Sequence, residues 1–424
     1  MSKSIFTSSL IVCLMTMSIL TGCSGEKASS SNKEKIEFAV NMSVNDAEYK
    51  VLKKVTENYN NKNSGQDVEL RALSDFENTM KTRMAANQLP DIWTTHGWSV
   101  ARYKEYLEPL NSQKWIKDID PNIKPTITDD KNNVYVLPID YDISGIVYDE
   151  KVLKEANVNP EKIKTWKDFS DACKKIKNMG KTPIHMGGAK ETWILGFYFL
   201  YAADSYLIGD KDKSYGEELR NGKFNWDNWK PVAGMLKEFK EKGYINKGIT
   251  ESNFQDMKDQ FAQGKVGFAF MHNTMISSVN QLNPNGKYGF IPIPSTQKQI
   301  KPSTIVGEHL AVGVWKDSKS KKSALSYINY LSDPKNVNEI SKVAKSPTGL
   351  VGGEYQTNAG HLTDDYEYAQ EKSDLRPYFD REYLPGGMWD TLCTTAEGIL
   401  SGTMSIQQAT TIMKSDYKKL LEQK

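Results

Sequence analysis

An α/β protein built in more than one unit is what this sequence predicts, on three observations. Segments with strand periodicity and segments with helix periodicity alternate along the first hundred residues in the order β-α-β-α-β, which implies a mostly parallel sheet with helices on its faces. The 424 residues exceed what one hydrophobic core supports. Finally, strand-like runs return late in the chain, in KVGFAFM, KYGFIPIP and EHLAVGVW.

In chain order, Lys3 precedes IFTSSLIVCLMTMSIL, residues 5–20. This apolar run is too short for a comfortable membrane span and has the positive start and apolar middle of a secretory signal. It ends in Leu20-Thr21-Gly22-Cys23, which resembles the bacterial lipobox, whose cysteine is lipidated and becomes the first mature residue. Residues 1–22 are therefore expected to be a signal peptide and Cys23 a lipid anchor. Residues 23–35, rich in Ser and charge with no apolar face, are expected to be a flexible tether. Removing the first 22 residues leaves 402, still too many for one core.

KIEFAVNM alternates Ile36, Phe38, Val40 and Met42 as a half-buried strand does, and Asp46 caps a helix carrying Val51, Leu52, Val55 and Tyr59. The strand DVELRAL follows. Ser74 and Glu77 stand at capping-box spacing before a helix through Phe76, Met80 and Met84, which ends near Pro90 and the strand-like DIWTT. NNVYVLPI and GIVYD predict further strands. Thr165 and Asp168 open a helix whose stripe is Trp166, Phe169, Cys173 and Ile176. KVGFAFM, KYGFIPIP and EHLAVGVW predict late strands, and Ser405 with Gln408 opens a last helix through Ile412, Met413, Leu420 and Leu421. Cys13 leaves with the signal. Cys173 and Cys393 lie on apolar helical stripes, where buried thiols are favoured over a disulfide.

Five stretches then fall in an order that resembles the family 1 extracellular solute-binding proteins, the lipoprotein receptors of ABC sugar importers. They are NTMKTRMAANQLPDIW, NVYVLPIDYDISGIVYDEKVLKEANV, KTWKDFSDACKKIKNMGKTPI, FAQGKVGFAFMHN and LPGGMWDTLCTTAEGILSGTMSIQQA. Asp149-Glu150 departs from the family's common Asn-Lys, and Asn273-Thr274-Met275 replaces a Gly-x-Trp that often stacks on ligand. The resemblance implies a two-lobed, periplasmic-binding-protein-like fold of type II with the ligand cleft between lobes. Lobe 1 would comprise 36–132 plus 291–333 and lobe 2 would comprise 133–290 plus 334–424, with crossings near Asn133, Phe290 and Asp333. It also implies partners: a saccharide ligand, the membrane subunits of an ABC permease, and the membrane itself through the lipid anchor. The folded part would be a monomer on the outer face of the cell membrane or in the periplasm.

A pyranose offers an apolar face of C–H bonds and a rim of hydroxyls, so its site needs flat aromatics together with carboxylates, amides or imidazoles. Nine Trp and 21 Tyr supply the first requirement. Four loops combine both. Thr94 to Ser99 offers His96 and a Trp98 that its Gly and Ser neighbours would display to solvent. Pro138 to Asp142 offers Asp140 and Asp142, with capping or solvation as the competing reading for Asp140. MGGAKETWILGFYFL offers Trp193, although its spacing with Phe197 and Leu200 fits core packing equally well. Val306 to His309 offers Glu308 and His309, which the resemblance places in a ligand loop, and it pairs with Pro385 to Trp389, where Trp389 is the leading stacking candidate. His272 ends a strand and is a lesser candidate.

Other classes fit less well. Lys+Arg at 55 against Asp+Glu at 53 offers no field for nucleic acid. No cofactor or metal is expected, because His96, His185, His272, His309 and His361 are scattered and no C-x-x-C, H-E-x-x-H, P-loop or G-x-S-x-G occurs. The alternatives are a secreted glycoside hydrolase using Asp140, Asp142 and Glu308, and a receptor for a non-sugar solute such as a peptide, which would want more Arg in the loops. Cys23→Ser is expected to release the protein into the medium or leave its signal uncut; membrane retention of a correctly cleaved form, seen by fractionation, would refute lipidation.

Overall fold

The computed structural model describes residues 33–73, 75–188 and 191–422. The expected signal peptide, Cys23 and Ser74 lie outside the described residues. In chain order the strands are β1 (Glu34–Val40), β2 (Gln66–Ala72), β3 (Ile92–Thr94), β4 (Leu137–Pro138), β5 (Tyr141–Ser144), β6 (Ile146–Asp149), β7 (Thr182–Ile184), β8 (Val266–Phe270), β9 (Tyr288–Ile291), β10 (Ser303–Glu308), β11 (Ala311–Val314) and β12 (Asp374–Arg376). β1 begins at Glu34, inside the segment expected to be tether.

The first sheet has the order β2-β1-β3-β11-β4. β1 runs parallel to β2 and β3, and helices Ala47–Lys62 and Phe76–Ala85 make the crossovers the sequence predicts. Leu52, Val55 and Tyr59 of the first helix are buried, while Val51 is only half-buried. Asp46 occupies the cap position of that helix, but its carboxylate accepts from the Ser43 amide at 2.8 Å instead of from the helix. The second sheet has the order β7-β8-β6-β9 and is backed by helix Trp166–Asn178, whose capping box between Thr165 and Asp168 forms as predicted. The box between Ser405 and Gln408 also forms, opening helix Ile406–Leu421. Cys173 and Cys393 are buried free thiols.

β5 and β10 are the chain's passages between these sheets. The chain leaves the first sheet at β4, runs through β5, and enters the second at β6; it leaves the second at β9, runs through β10, and rejoins the first at β11. The two passages pair antiparallel, and β12 adds to β10 in parallel, making a third sheet of order β12-β10-β5. This is a two-lobed α/β fold of the type II periplasmic-binding-protein kind, with the cleft between lobes floored by that third sheet. Pro138 to Asp142, read from sequence as a loop, is mostly strand, because its partners lie about 170 positions away and local periodicity is silent about them. Past Asp333, where the sequence reading places the third crossing, helix Pro334–Ala344 still packs on helix Ala47–Lys62 beside the first sheet.

The second lobe is fastened to the floor by a buried ion pair. Arg376, on β12, donates to Asp204 Oδ2 at 3.2 Å, and the same oxygen accepts from Ser303 Oγ on β10 at 2.5 Å. Asp204 is fully buried and Arg376 nearly so. Removing one partner of such a pair leaves an uncompensated charge in a low dielectric. Arg376→Met is accordingly expected to cost about 3 kcal/mol of unfolding free energy, read from urea melts; a midpoint equal to that of the parent would show that the pair holds nothing.

Candidate functional site

The register of the floor decides which side chains meet. Gly307 on β10 faces Asp142 on β5, and Glu308 faces Tyr141. At Gly307 a Cβ would stand 2.2 Å from the Tyr378 ring, so only glycine lets that ring lie on the strand. There the Tyr378 hydroxyl donates to Asp142 Oδ2 at 2.5 Å. Successive strand residues point to opposite faces, so Asp140 and Asp142 present their carboxylates on one side and Tyr141 turns to the other, where it donates to Asp120 at 2.8 Å.

Around these acids the structure gathers three imidazoles. His309 follows β10 and donates from Nδ1 to Asp140 Oδ1 at 3.0 Å; the Leu310 amide donates to the same oxygen at 2.8 Å. Glu48 Oε1, from the first turn of helix Ala47–Lys62, lies 3.9 Å from the same His309 nitrogen. His96 follows β3 and packs its ring edge-on against His309, centroids 5.9 Å apart. His272 follows β8 in the second lobe, 6.3 Å from His309. The ring series continues from His272 to Phe197 at 5.2 Å, from Phe197 to Trp389 at 5.7 Å, and from Phe197 to Trp193 at 6.2 Å. The five histidines, scattered along the sequence, thus bring three of their number together in space, since each of those three ends a strand that abuts the cleft.

The charges settle each other. Burial works against charge on His309, but Asp140 and Glu48 prevail and hold its proton well above the ordinary histidine range. Burial, and after it the charge of His309 and Arg381, pushes His96 down to about 3. Burial also pushes His272 down to about 4. Burial raises Glu48 to about 7 against the opposing pull of His309. For Asp142 burial favours the neutral acid, yet His309, His272 and the Tyr378 hydroxyl together hold it below the usual carboxylate range.

The predicted residues divide into those at the cleft and those consumed by structure. Trp389 and Trp193 are both half-buried against Phe197. Trp389 also rests on Gly196, where a Cβ would come within 2.8 Å of its ring. Trp98 corrects only the expectation of display: it stands at the gap between the lobes but is packed, 7% exposed, beneath the Arg102 guanidinium at 4.1 Å and the Arg381 guanidinium at 4.9 Å. Glu308 is a correction, because both its oxygens are spent inside the first lobe: Thr95 Oγ1 donates at 2.5 Å to one, and the Ser99 amide and hydroxyl donate at 2.9 and 2.5 Å to the other. It positions the loop that carries His96. The glycoside-hydrolase casting loses its third carboxylate with it. Asn273, at the departure from the family pattern, is fully buried and bonded to Ser144 and Tyr366.

Sequence reasoning missed Arg381, Tyr378 and Glu48. Arg381 crosses from the second lobe to lie over Trp98 and Tyr378, with its Nε and Nη1 buried and without partners among the described residues. Asp140 Oδ2 and Asp142 Oδ1 are likewise buried and unpartnered. The segment PYFDREYLPGG, dense in rings and charge directly before a glycine turn, carried a signal for the first two. Glu48 carried none, being an ordinary acid in a helix's first turn. A separate depression of about 450 Å³, lined in part by Asp149, Lys154, Asn285 and Tyr288, lies at the edge of the second sheet and shares no residue with the cluster.

Comparison with known proteins bears on this arrangement. Residues 44–338 match the family model described as bacterial extracellular solute-binding protein. The chain is 31% identical over 409 residues to the melibiose/raffinose/stachyose-binding protein MelE of Bacillus subtilis, covering 96% of this chain and 94% of that one. A sugar transporter of Bacillus licheniformis, solved in complex with stachyose, superposes with a TM-score of 0.82 at 32% identity, over 91% of this chain and all of that one. A putative binding protein of Bacillus subtilis in an open conformation superposes with a TM-score of 0.82 at 30% identity, over 93% of this chain and 99% of that one. Because Glu308 satisfies two hydroxyls and an amide, Glu308→Gln is expected to cost about 1–3 kcal/mol of stability, read as a lowered denaturation midpoint; an unchanged midpoint would mean that the loop does not depend on it.

Proposed function

This chain belongs to the bacterial extracellular solute-binding proteins, and from that premise we propose that it captures a neutral oligosaccharide of the raffinose and stachyose kind and delivers it, unaltered, to the permease of an ABC importer. It works outside the cytoplasm, as a monomer tied to the membrane through lipid on Cys23. The observation that carries the reading is the pairing of two kinds of group in one cleft. Asp140 Oδ2 and Asp142 Oδ1 are buried acceptors, and Arg381 Nε and Nη1 are buried donors, each left without a protein partner. Leaving such groups unmet costs about 1–3 kcal/mol apiece, which a rim of sugar hydroxyls, both donor and acceptor, would recover. The half-buried indoles of Trp193 and Trp389, reached through Phe197, suit the apolar faces of further pyranose units. The sugars named for the relatives above support the raffinose class. No described helix is long and apolar enough to cross a membrane, so a tie to the membrane rests on the Leu20-Thr21-Gly22-Cys23 stretch.

Binding would open and close the lobes by hinge motion about β5 and β10. Side chains that meet across the gap include Arg381 over Trp98, His272 beside His309, Ser277 donating to the Val343 carbonyl at 2.8 Å, and the exposed pair Lys81 and Asp390 at 4.0 Å.

Thermal-shift and calorimetric titration with stachyose, raffinose and melibiose, against xylo- and arabino-oligosaccharides as controls, tests the reading. A ligand at a hundred times its Kd is expected to stabilise by about 2.7 kcal/mol. Stabilisation by the controls alone, or sugar turnover on incubation, would overturn it. Within the site, Trp389→Ala is expected to weaken stachyose binding by about 1 kcal/mol or more, and equal affinity in calorimetry would remove that ring from the cleft.

A further inference from the structure

Glu48, Asp140 and His309 come from three separated parts of the chain, yet each turns one potential ligand atom into a common space, all within 4.8 Å of one another. We propose that these three side chains form a binding site for a first-row divalent cation, Zn²⁺ above Mn²⁺, at the edge of the cleft. The donor set is one imidazole nitrogen and two carboxylate oxygens, which suits a borderline ion and not Ca²⁺, whose shell is all oxygen.

The spacing fits coordination. Ligands about 2.1 Å from an ion stand about 3.0 Å apart at right angles and about 3.4 Å apart in a tetrahedron. His309 Nδ1 lies 3.0 Å from Asp140 Oδ1 and 3.9 Å from Glu48 Oε1, so the His309 and Asp140 atoms already stand at ligand spacing and the Glu48 side chain would have to swing towards them to complete the set. A proton on Nδ1 serves only part of this arrangement: it bonds Asp140 Oδ1, leaves Glu48 at 3.9 Å, and cannot reach the second oxygen of Asp140. That oxygen, Oδ2, belongs to a side chain with no exposure at all and has no protein partner, so Asp140 keeps an acceptor for a saccharide hydroxyl while Oδ1 holds the ion. Two strand positions on, Asp142 faces the same way and also holds an unpartnered buried oxygen, Oδ1. Three carboxyl groups share this space with one imidazole, and once Glu48 has given up its proton a divalent ion supplies the counter-charge they lack. Access exists, since the Glu48 and His309 side chains keep 16% and 10% of their exposure. Three protein ligands leave at least one position open on the ion. In binding, the ion replaces the proton on His309 Nδ1, and Glu48, where it is protonated, gives up its own; both protons leave to solvent and both carboxylates coordinate as anions.

Calorimetric titration of Zn²⁺, Mn²⁺ and Ca²⁺ into the chelator-treated, untagged chain near neutral pH tests the site. One Zn²⁺ per chain is expected, with Mn²⁺ weaker and Ca²⁺ weakest. Repeating the titration in buffers of different ionisation heat should reveal between one and two protons released per ion, with affinity falling as pH falls. Glu48→Gln and Asp140→Asn should each weaken Zn²⁺ by about tenfold or more. Should Asp140→Asn fail to fold, Glu48→Gln, at a partly exposed position, decides alone. No binding by any of the three ions, or full affinity retained in Glu48→Gln, would overturn the proposal. Stachyose titrations run with chelator present keep the fate of the saccharide reading separate.

Discussion

Everything at the cleft depends on the antiparallel pairing of β5 with β10. These strands carry two of the chain's passages between the first two sheets, and pairing them brings residues some 165 positions apart into register. Asp142 then lies opposite Gly307, and Asp140 and His309 are neighbours. A slip of one residue would turn every one of these side chains to the other face. Gly307 and the Tyr378 ring above it, with the hydroxyl of that ring on Asp142, hold the register from one side. The Arg376 and Asp204 pair holds it from the other.

Such a floor is electrostatically demanding, and the response is compensation within a short radius. Acids that burial would neutralise are kept near a charged imidazole, and imidazoles that burial would discharge are split in role. His309 keeps its proton between Asp140 and Glu48, while His96 and His272, with no acid in bonding contact, are driven neutral. Neutral rings beside a charged one continue, through tilted and edge-on contacts, from the acids towards Phe197 and the two indoles. One end of the cleft is thereby rich in fixed charge and the other in aromatic area, which suits a ligand made of repeated rings bearing hydroxyls.

Much of the fold was legible because its signals are local. The capping boxes at Thr165 and Ser405 need only four consecutive residues, and the helices they open were drawn correctly from them. The alternation in KIEFAVNM predicted β1, and the apolar stripe of the following helix packs largely as expected. The cleft residues were legible in type and partly in place. Trp389, Trp193, Asp140, Asp142, His309, His96 and His272 do converge. Trp98 was read as displayed from its Gly and Ser neighbours, but two guanidiniums cover it, Arg102 four positions on and Arg381 almost three hundred positions away. Glu308 looked like a free acid after a glycine, and its three donors come from a loop more than two hundred positions earlier.

What the sequence determined by itself is therefore what short-range chemistry writes: the alternating strands and helices, the helix starts, the buried thiols, the aromatic and acidic supply, and an ordered set of stretches that belongs to one family. Tertiary structure alone decided which of those groups remain free to bind. Whether a buried oxygen or guanidinium is satisfied depends on partners that only strand register and lobe contact bring within about 3 Å, and no local pattern records where those partners come from.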